Sequence, residues 1–212
     1  MVKSTPTYCS ISGDVYIINV HIHSDPNVLD HLSRDISGSG HFLTHVEYFN
    51  DIFSTINKKL VAYGIRINPH YDQINLDDFH IPWGESGMSE YSPVNYKTQV
   101  CKEFFRDTSP KGVGNRILLF QHPNDTIVSI AKSSIQTEKE CGNISGFLYK
   151  NPDDLRILLI DGILKMFSYG AYAVDMMSPD HFNIEICEYA RKCVTKSNNR
   201  EGEYYRKHNS WY

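Results

Sequence analysis

The chain has 212 residues, a formal net charge of −4 and a pI near 6.2, which argues against a nucleic-acid binder, since such proteins present a basic patch. With 41% hydrophobic and 22% charged residues it can supply a sizeable core, so one domain with or without a tail is expected. The five cysteines (Cys9, Cys101, Cys141, Cys187, Cys193) are too sparse for a disulfide-built scaffold, and buried thiols or one or two bridges both remain open.

From the N-terminus, Met1-Val2-Lys3-Ser4-Thr5-Pro6 carries no apolar targeting segment. The chain is therefore read either as intracellular or as a domain of a longer secreted precursor. Residues 14–23 alternate as a strand, with Tyr16, Ile18, Val20 and Ile22 on one face and Val15, Ile17, Asn19, His21 and His23 on the other. Ser24-Asp25-Pro26-Asn27 ends it, and Ser37-Gly38-Ser39-Gly40 marks a turn. The period then becomes helical over residues 41–60, where Phe42, Val46, Phe49, Phe53, Ile56 and Leu60 form one stripe. Gly64 precedes a short strand, Ile65-Arg66-Ile67-Asn68, closed by Pro69. Strand, helix, strand implies a parallel pair.

Residues 72–93 read as an irregular connection, and residues 96–106 as a helix with Val100, Cys101, Phe104 and Phe105 inward. Lys111-Gly112-Val113-Gly114 is a turn without the spacing of a phosphate loop. Residues 116–120 form a buried strand, and Ser145 to Tyr149 an edge strand. Asn151 then caps the central helix, with Pro152 at its first position and Asp153 and Asp154 at the positive end of its dipole. Its apolar residues cover most of the circumference, which implies a core element. Spanning a membrane is not expected, because Asp161 and Lys165 interrupt a run already short of roughly 20 residues. A last helix starts at Ser178-Pro179-Asp180, with Phe182, Ile186, Tyr189, Ala190 and Cys193 inward. Cys187 and Cys193 lie about 240° apart on it and should have different partners.

Few residues carry visible chemistry. His21 and His23 share a strand face, and an HxH pair is a recurring metal-binding element. The alternative reading is a polar face near a sheet edge. No Gly-x-Ser-x-Gly elbow and no cysteine in a catalytic context is present. The sequons at Asn124 and Asn143 are acceptors for N-glycosylation if the chain is secreted. Asp161 and Lys165 stand i,i+4 with the acid first, the favourable order for an ion pair.

The order of these parts resembles the reprolysin (adamalysin, ADAM-type) metalloprotease domain of the metzincin clan. The matching stretches are the first strand, the helix ending in Ala62-Tyr63-Gly64-Ile65-Arg66-Ile67, residues 116–120, Cys141-Gly142, Ser145-Gly146, the long helix, and Met177-Ser178-Pro179 as a Met-turn. Active members carry H-E-x-x-H-x-x-G-x-x-H, three imidazoles holding zinc and the Glu acting as general base. In the best register this chain has Asp161 and Lys165 at the first two histidines and Gly162 at the glutamate, with Ser168 for the glycine and Ala171 for the third histidine. The resemblance therefore implies a protease-like fold without zinc, catalytic residues or cofactor. It also implies a disulfide from Cys141 to Cys193 (or Cys187), and a peptide-binding cleft beside Ser145 to Tyr149.

These readings give an α/β fold, a twisted mixed β-sheet with packed helices in metzincin-like architecture. Residues 1–13 are an N-terminal extension, 14–195 the folded domain and 196–212 a polar tail. The expected function is a catalytically inactive, secreted or surface-exposed pseudo-metalloprotease that binds a protein or peptide. The alternatives are a metal-dependent hydrolase using His21 and His23, and an intracellular interaction domain. Neither nucleic acid nor a membrane span is expected.

Overall fold

The computed structural model describes residues 9, 15–40, 42, 44–75, 93–108, 115–121, 133–136, 141–167 and 179–194. The elements follow as β1 (Tyr16–Ser24), α1 (Pro26–Ser39), α2 (His45–Leu60), β2 (Ile65–Asn75), α3 (Pro93–Thr108), β3 (Asn115–Gln121), β4 (Ser133–Gln136), β5 (Ile144–Tyr149), α4 (Pro152–Met166) and α5 (Pro179–Tyr189). A 3-10 turn, Val61–Tyr63, leads into β2, and a π-helical turn, Ala190–Val194, extends α5. The fold is mixed α/β. Its sheet has the order β2-β1-β3-β5-β4, with β4 alone antiparallel.

The register sorts side chains onto two faces. Ile18, Val20 and Ile22 of β1, Ile65 and Ile67 of β2, Ile117 and Leu119 of β3, and Phe147 and Tyr149 of β5 join the main core. Against them pack Val28, Leu32 and Ile36 of α1, Phe49, Ile52, Phe53 and Ile56 of α2, and Leu155, Leu159 and Ile163 of α4. The opposite face holds a smaller cluster: Leu118, Phe120 and Ile144 under Val94, Cys101 and Phe105 of α3. Each fully buried large aliphatic side chain contributes about 1.5–3 kcal/mol, so the three-helix face dominates stability.

Local chemistry sets the helix ends. Thr44 and Glu47 form a capping box on α2, and Lys58 and Lys59 lie in its last turn. On α4 the Asn151 side chain accepts from Asp154 N at 2.8 Å. Pro26-Asn27, expected to end a strand, and Ser37-Gly38-Ser39, expected as a turn, are instead the two ends of the helix α1, begun by Pro26 and closed by Gly40 in the left-handed region at φ 70°. Its stripe of Val28, Leu32 and Ile36 recurs every fourth residue, a helical signal in the sequence. Pro69 does not close β2, which continues to Asn75; β2 is an edge strand, where a missing N–H costs no ladder bond. Nor is α4 buried all round, since Ile157 is 67% exposed while Leu155, Leu159 and Ile163 face the core.

One expectation fails on topology. β5 is no edge strand: it pairs with β3 along its length and with β4 over residues 144–147. A peptide therefore cannot add along Ser145 to Tyr149. Cys101 is buried, as expected, but Phe104 is 39% exposed and turns away from the cluster.

Candidate functional sites

The histidines come first, because β1 delivers them to one face. Register places His21 opposite His70 of β2 and Arg116 of β3. His21 stacks on His70 with centroids 5.0 Å apart, and His70 Nε2 lies 3.0 Å from Asn19 Oδ1. His23, fully buried, stacks instead on Phe105 of α3 at 5.1 Å. The Arg116 guanidinium lies 4.2 Å from the same ring and contacts His23 Nε2 at 3.5 Å. The two imidazoles thus share a face and are drawn to different neighbours. Among the described residues, no group of three or more His, Cys, Asp or Glu is placed to hold a metal. A guanidinium beside His23 would moreover repel a cation. The described residues therefore bring His21 and His23 to one strand face without a third ligand beside them.

On α4, Lys165 Nζ donates to Asp161 Oδ2, and the pair is open to solvent, with side chains 26% and 42% exposed respectively. They bridge one turn of the helix surface. Gly162, between them, faces inward: a Cβ there would stand 2.5 Å from the Phe147 ring of β5. The glycine lets helix and sheet approach, a packing role. Ser168, Ala171, Met177 and Asn124 lie outside the described residues. Asn143 is 4% exposed, its backbone N–H donates to Asn115 Oδ1 at 3.2 Å, and its side-chain amide donates to Met166 O. The side chain of that sequon is thus turned inward toward the end of α4.

The cysteines form the most definite constellation. Cys9 is bonded to Cys187 and Cys141 to Cys193, with Cα–Cα distances of 4.9 and 5.4 Å. Both bridges end on the C-terminal helical segment, one on α5 and one on its π turn. The segment's inner side packs through Ile186, Tyr189 and Ala190, and Tyr189 Oη donates to Asn115 Oδ1 at 2.5 Å. Arg191 Nε donates to Cys9 O at 3.0 Å, and Cys9 N donates to Tyr63 O at 2.9 Å. Cys9 is thereby sewn to the C-terminal helical segment and to the turn that leads into β2. Cys141 holds φ at 74°, the left-handed region uncommon for a side-chain-bearing residue, to meet Cys193. The fifth cysteine, Cys101, is fully buried, and burial pushes its thiol up to about 12. It is neither accessible nor a thiolate near neutral pH.

Sequence reasoning missed Asn57. Its Oδ1 accepts from Ile67 N at 2.7 Å and its Nδ2 donates to Ile67 O at 3.0 Å, so one side chain mimics a strand partner on the β2 edge. Its position one turn before the last of α2, ahead of a strand, was the available signal.

These features describe a disulfide-clamped α/β domain whose cysteines are all bonded or buried and whose His21, His23 and His70 rings are stacked on neighbouring rings. The chain belongs to the Spore wall protein 7 family, whose model matches residues 15–210. No curated protein matches it. The match overturns the reprolysin resemblance and, with it, the pseudo-metalloprotease function, since no metalloprotease family matches. The intracellular alternative is corrected too: the family and the two disulfides together indicate an extracellular, wall-side protein. Among the described residues no helix is long and apolar enough to cross a membrane.

Proposed function

We propose that this chain is a structural component of the spore wall, held there by non-covalent contact with other wall proteins. The family match over residues 15–210 carries the reading. Two features of the molecule support it. Both disulfides are internal, which suits a domain that must persist unattended in an oxidising layer. The remaining thiol is buried and protonated, so inter-chain disulfides are not the means of attachment. The folded unit is taken as residues 14–195, pinned to the preceding segment at Cys9. The order of four parallel strands and one antiparallel edge strand supports a metzincin-like layout for the scaffold, a likeness of layout that brings no peptidase chemistry.

Immunogold labelling of sectioned spores with an antibody to the folded domain tests the location. Label confined to the wall is the expected result. Label in the cytoplasm of mature spores, with the wall bare, would reject the proposal.

A further inference from the structure

Charge along α2 is sorted by end. Glu47 lies in its first turn, and Lys58 and Lys59 in its last. Tyr48 Oη donates to Pro152 O at 2.5 Å, which fixes the start of α4 beside the start of α2 and brings Asp153 and Asp154 to the acidic end. Arg66, next to the start of β2, joins the lysines at the other end. The 16 residues of α2 hold the two ends about 24 Å apart. Lys58, Lys59, Arg66 and Asp153 are exposed, and none of the four is ion-paired to a described residue.

The basic end is concave. A groove of about 500 Å³ runs between α2 and the β2 edge, lined by Phe53, Ile67, Lys58 and Arg66, with no acidic residue in its lining among the described residues. Strand addition is barred there, because Asn57 occupies the N–H and C=O of Ile67 and Pro69 offers no donor. Whatever binds must be read by side chains, and the charge asks for an anionic partner.

We propose that this groove receives the acidic tip of α4, Asp153 and Asp154, from a second copy of the chain. This rests on the wall-component reading and names the partner of one surface. A second copy fits because the same chain carries both complementary surfaces, at fixed separation on one rigid helix pair. The contact joins two different patches, so it is head-to-tail and propagates as an open array unless the rotation closes a ring. Exposed charges supply it, so it is salt-sensitive and individually weak. An extended wall layer requires contacts that propagate in this way.

Sedimentation velocity of the oxidised full chain tests it. Self-association is expected at low ionic strength, with the association constant falling about tenfold or more between ~0.02 and ~0.5 M salt. Lys58→Glu/Arg66→Glu reverses the groove's charge and Asp153→Asn/Asp154→Asn neutralises the tip, so each variant alone is expected to be monomeric. An equimolar mixture should give discrete heterodimers and nothing larger, since one groove and one tip remain intact. Wild type that stays monomeric at low salt, a variant that still self-associates, or a mixture without heterodimer would overturn the proposal. Thermal melts establish that the variants fold, with Lys58→Gln/Arg66→Gln as the milder replacement. Wall labelling is independent of these outcomes, so failure here leaves the family-level function standing.

Discussion

At the scale of single residues, the two charges in the apolar stretch of α4 are the simplest case. Asp161 and Lys165 pair at an open surface, so neither loses its hydration when the other is removed. Lys165→Ala should cost less than about 1 kcal/mol in denaturant unfolding, far below the roughly 3–5 kcal/mol of a broken buried pair. A loss in the larger range would mean that the carboxylate is buried after all. The phenols and the free thiol set the alkaline limit. Burial raises the pKa of Tyr48 well above the usual phenol range, and that of Cys101 to about 12 from 9.0. Tyr149 is raised further, by burial first and then by the Asp35 carboxylate that accepts its hydrogen bond at 2.5 Å. A folded pKa above the unfolded one gives stability that is complete below the unfolded value and lost as pH rises toward the folded value. Stability should therefore hold up to about pH 9 and fall between about pH 9 and 12. Midpoints that stay flat through that window would contradict the burial of these groups.

At the scale of elements, β5 is the packing axis, and two glycines make it so. Gly146 lies against Thr98 of α3 on one face, and Gly162 of α4 meets Phe147 on the other, so helices close in on both sides of one strand. Gly162→Ala would ordinarily gain up to about 1 kcal/mol from helix propensity. Here its Cβ would stand 2.5 Å from a fully buried ring, and we expect a net destabilisation of about 1–3 kcal/mol in chemical denaturation. A more stable variant would show that the helix can move away. Periodicity made β1, α2, α3 and α5 legible, because their apolar spacing records the face they bury, while β3 and α4 showed as apolar runs, β3 being buried on both faces. α1 was hidden by Ser, Gly and Asp residues that resemble a turn, although its stripe of Val28, Leu32 and Ile36 was present. Pairing order is not written in periodicity. β4 is only four residues long, and without it β5 looked like an edge. For Asn57 the sequence offered only its place near the end of a helix that precedes a strand, since its two bonds are made to a residue ten positions away.

At the scale of the whole molecule, the order of strands, helices and glycines suggested a protease family, while the family that matches is a wall protein. A shared order of elements reports an arrangement of layers, and function lies in the residues placed upon it. The residues that matter here are cysteines. Their pairing depended on chain ends meeting in space, as Cys9 and Cys187 do across 178 positions, which spacing alone could not reveal. With Cys9, Cys141, Cys187 and Cys193 bonded within the chain and Cys101 buried, the proposed attachment to the wall has no thiol to use. Extraction of purified walls in denaturant, with an alkylating agent present and no reductant, tests this most directly. The account predicts release of the protein as a monomer with one alkylated cysteine. Release only after reduction would contradict it.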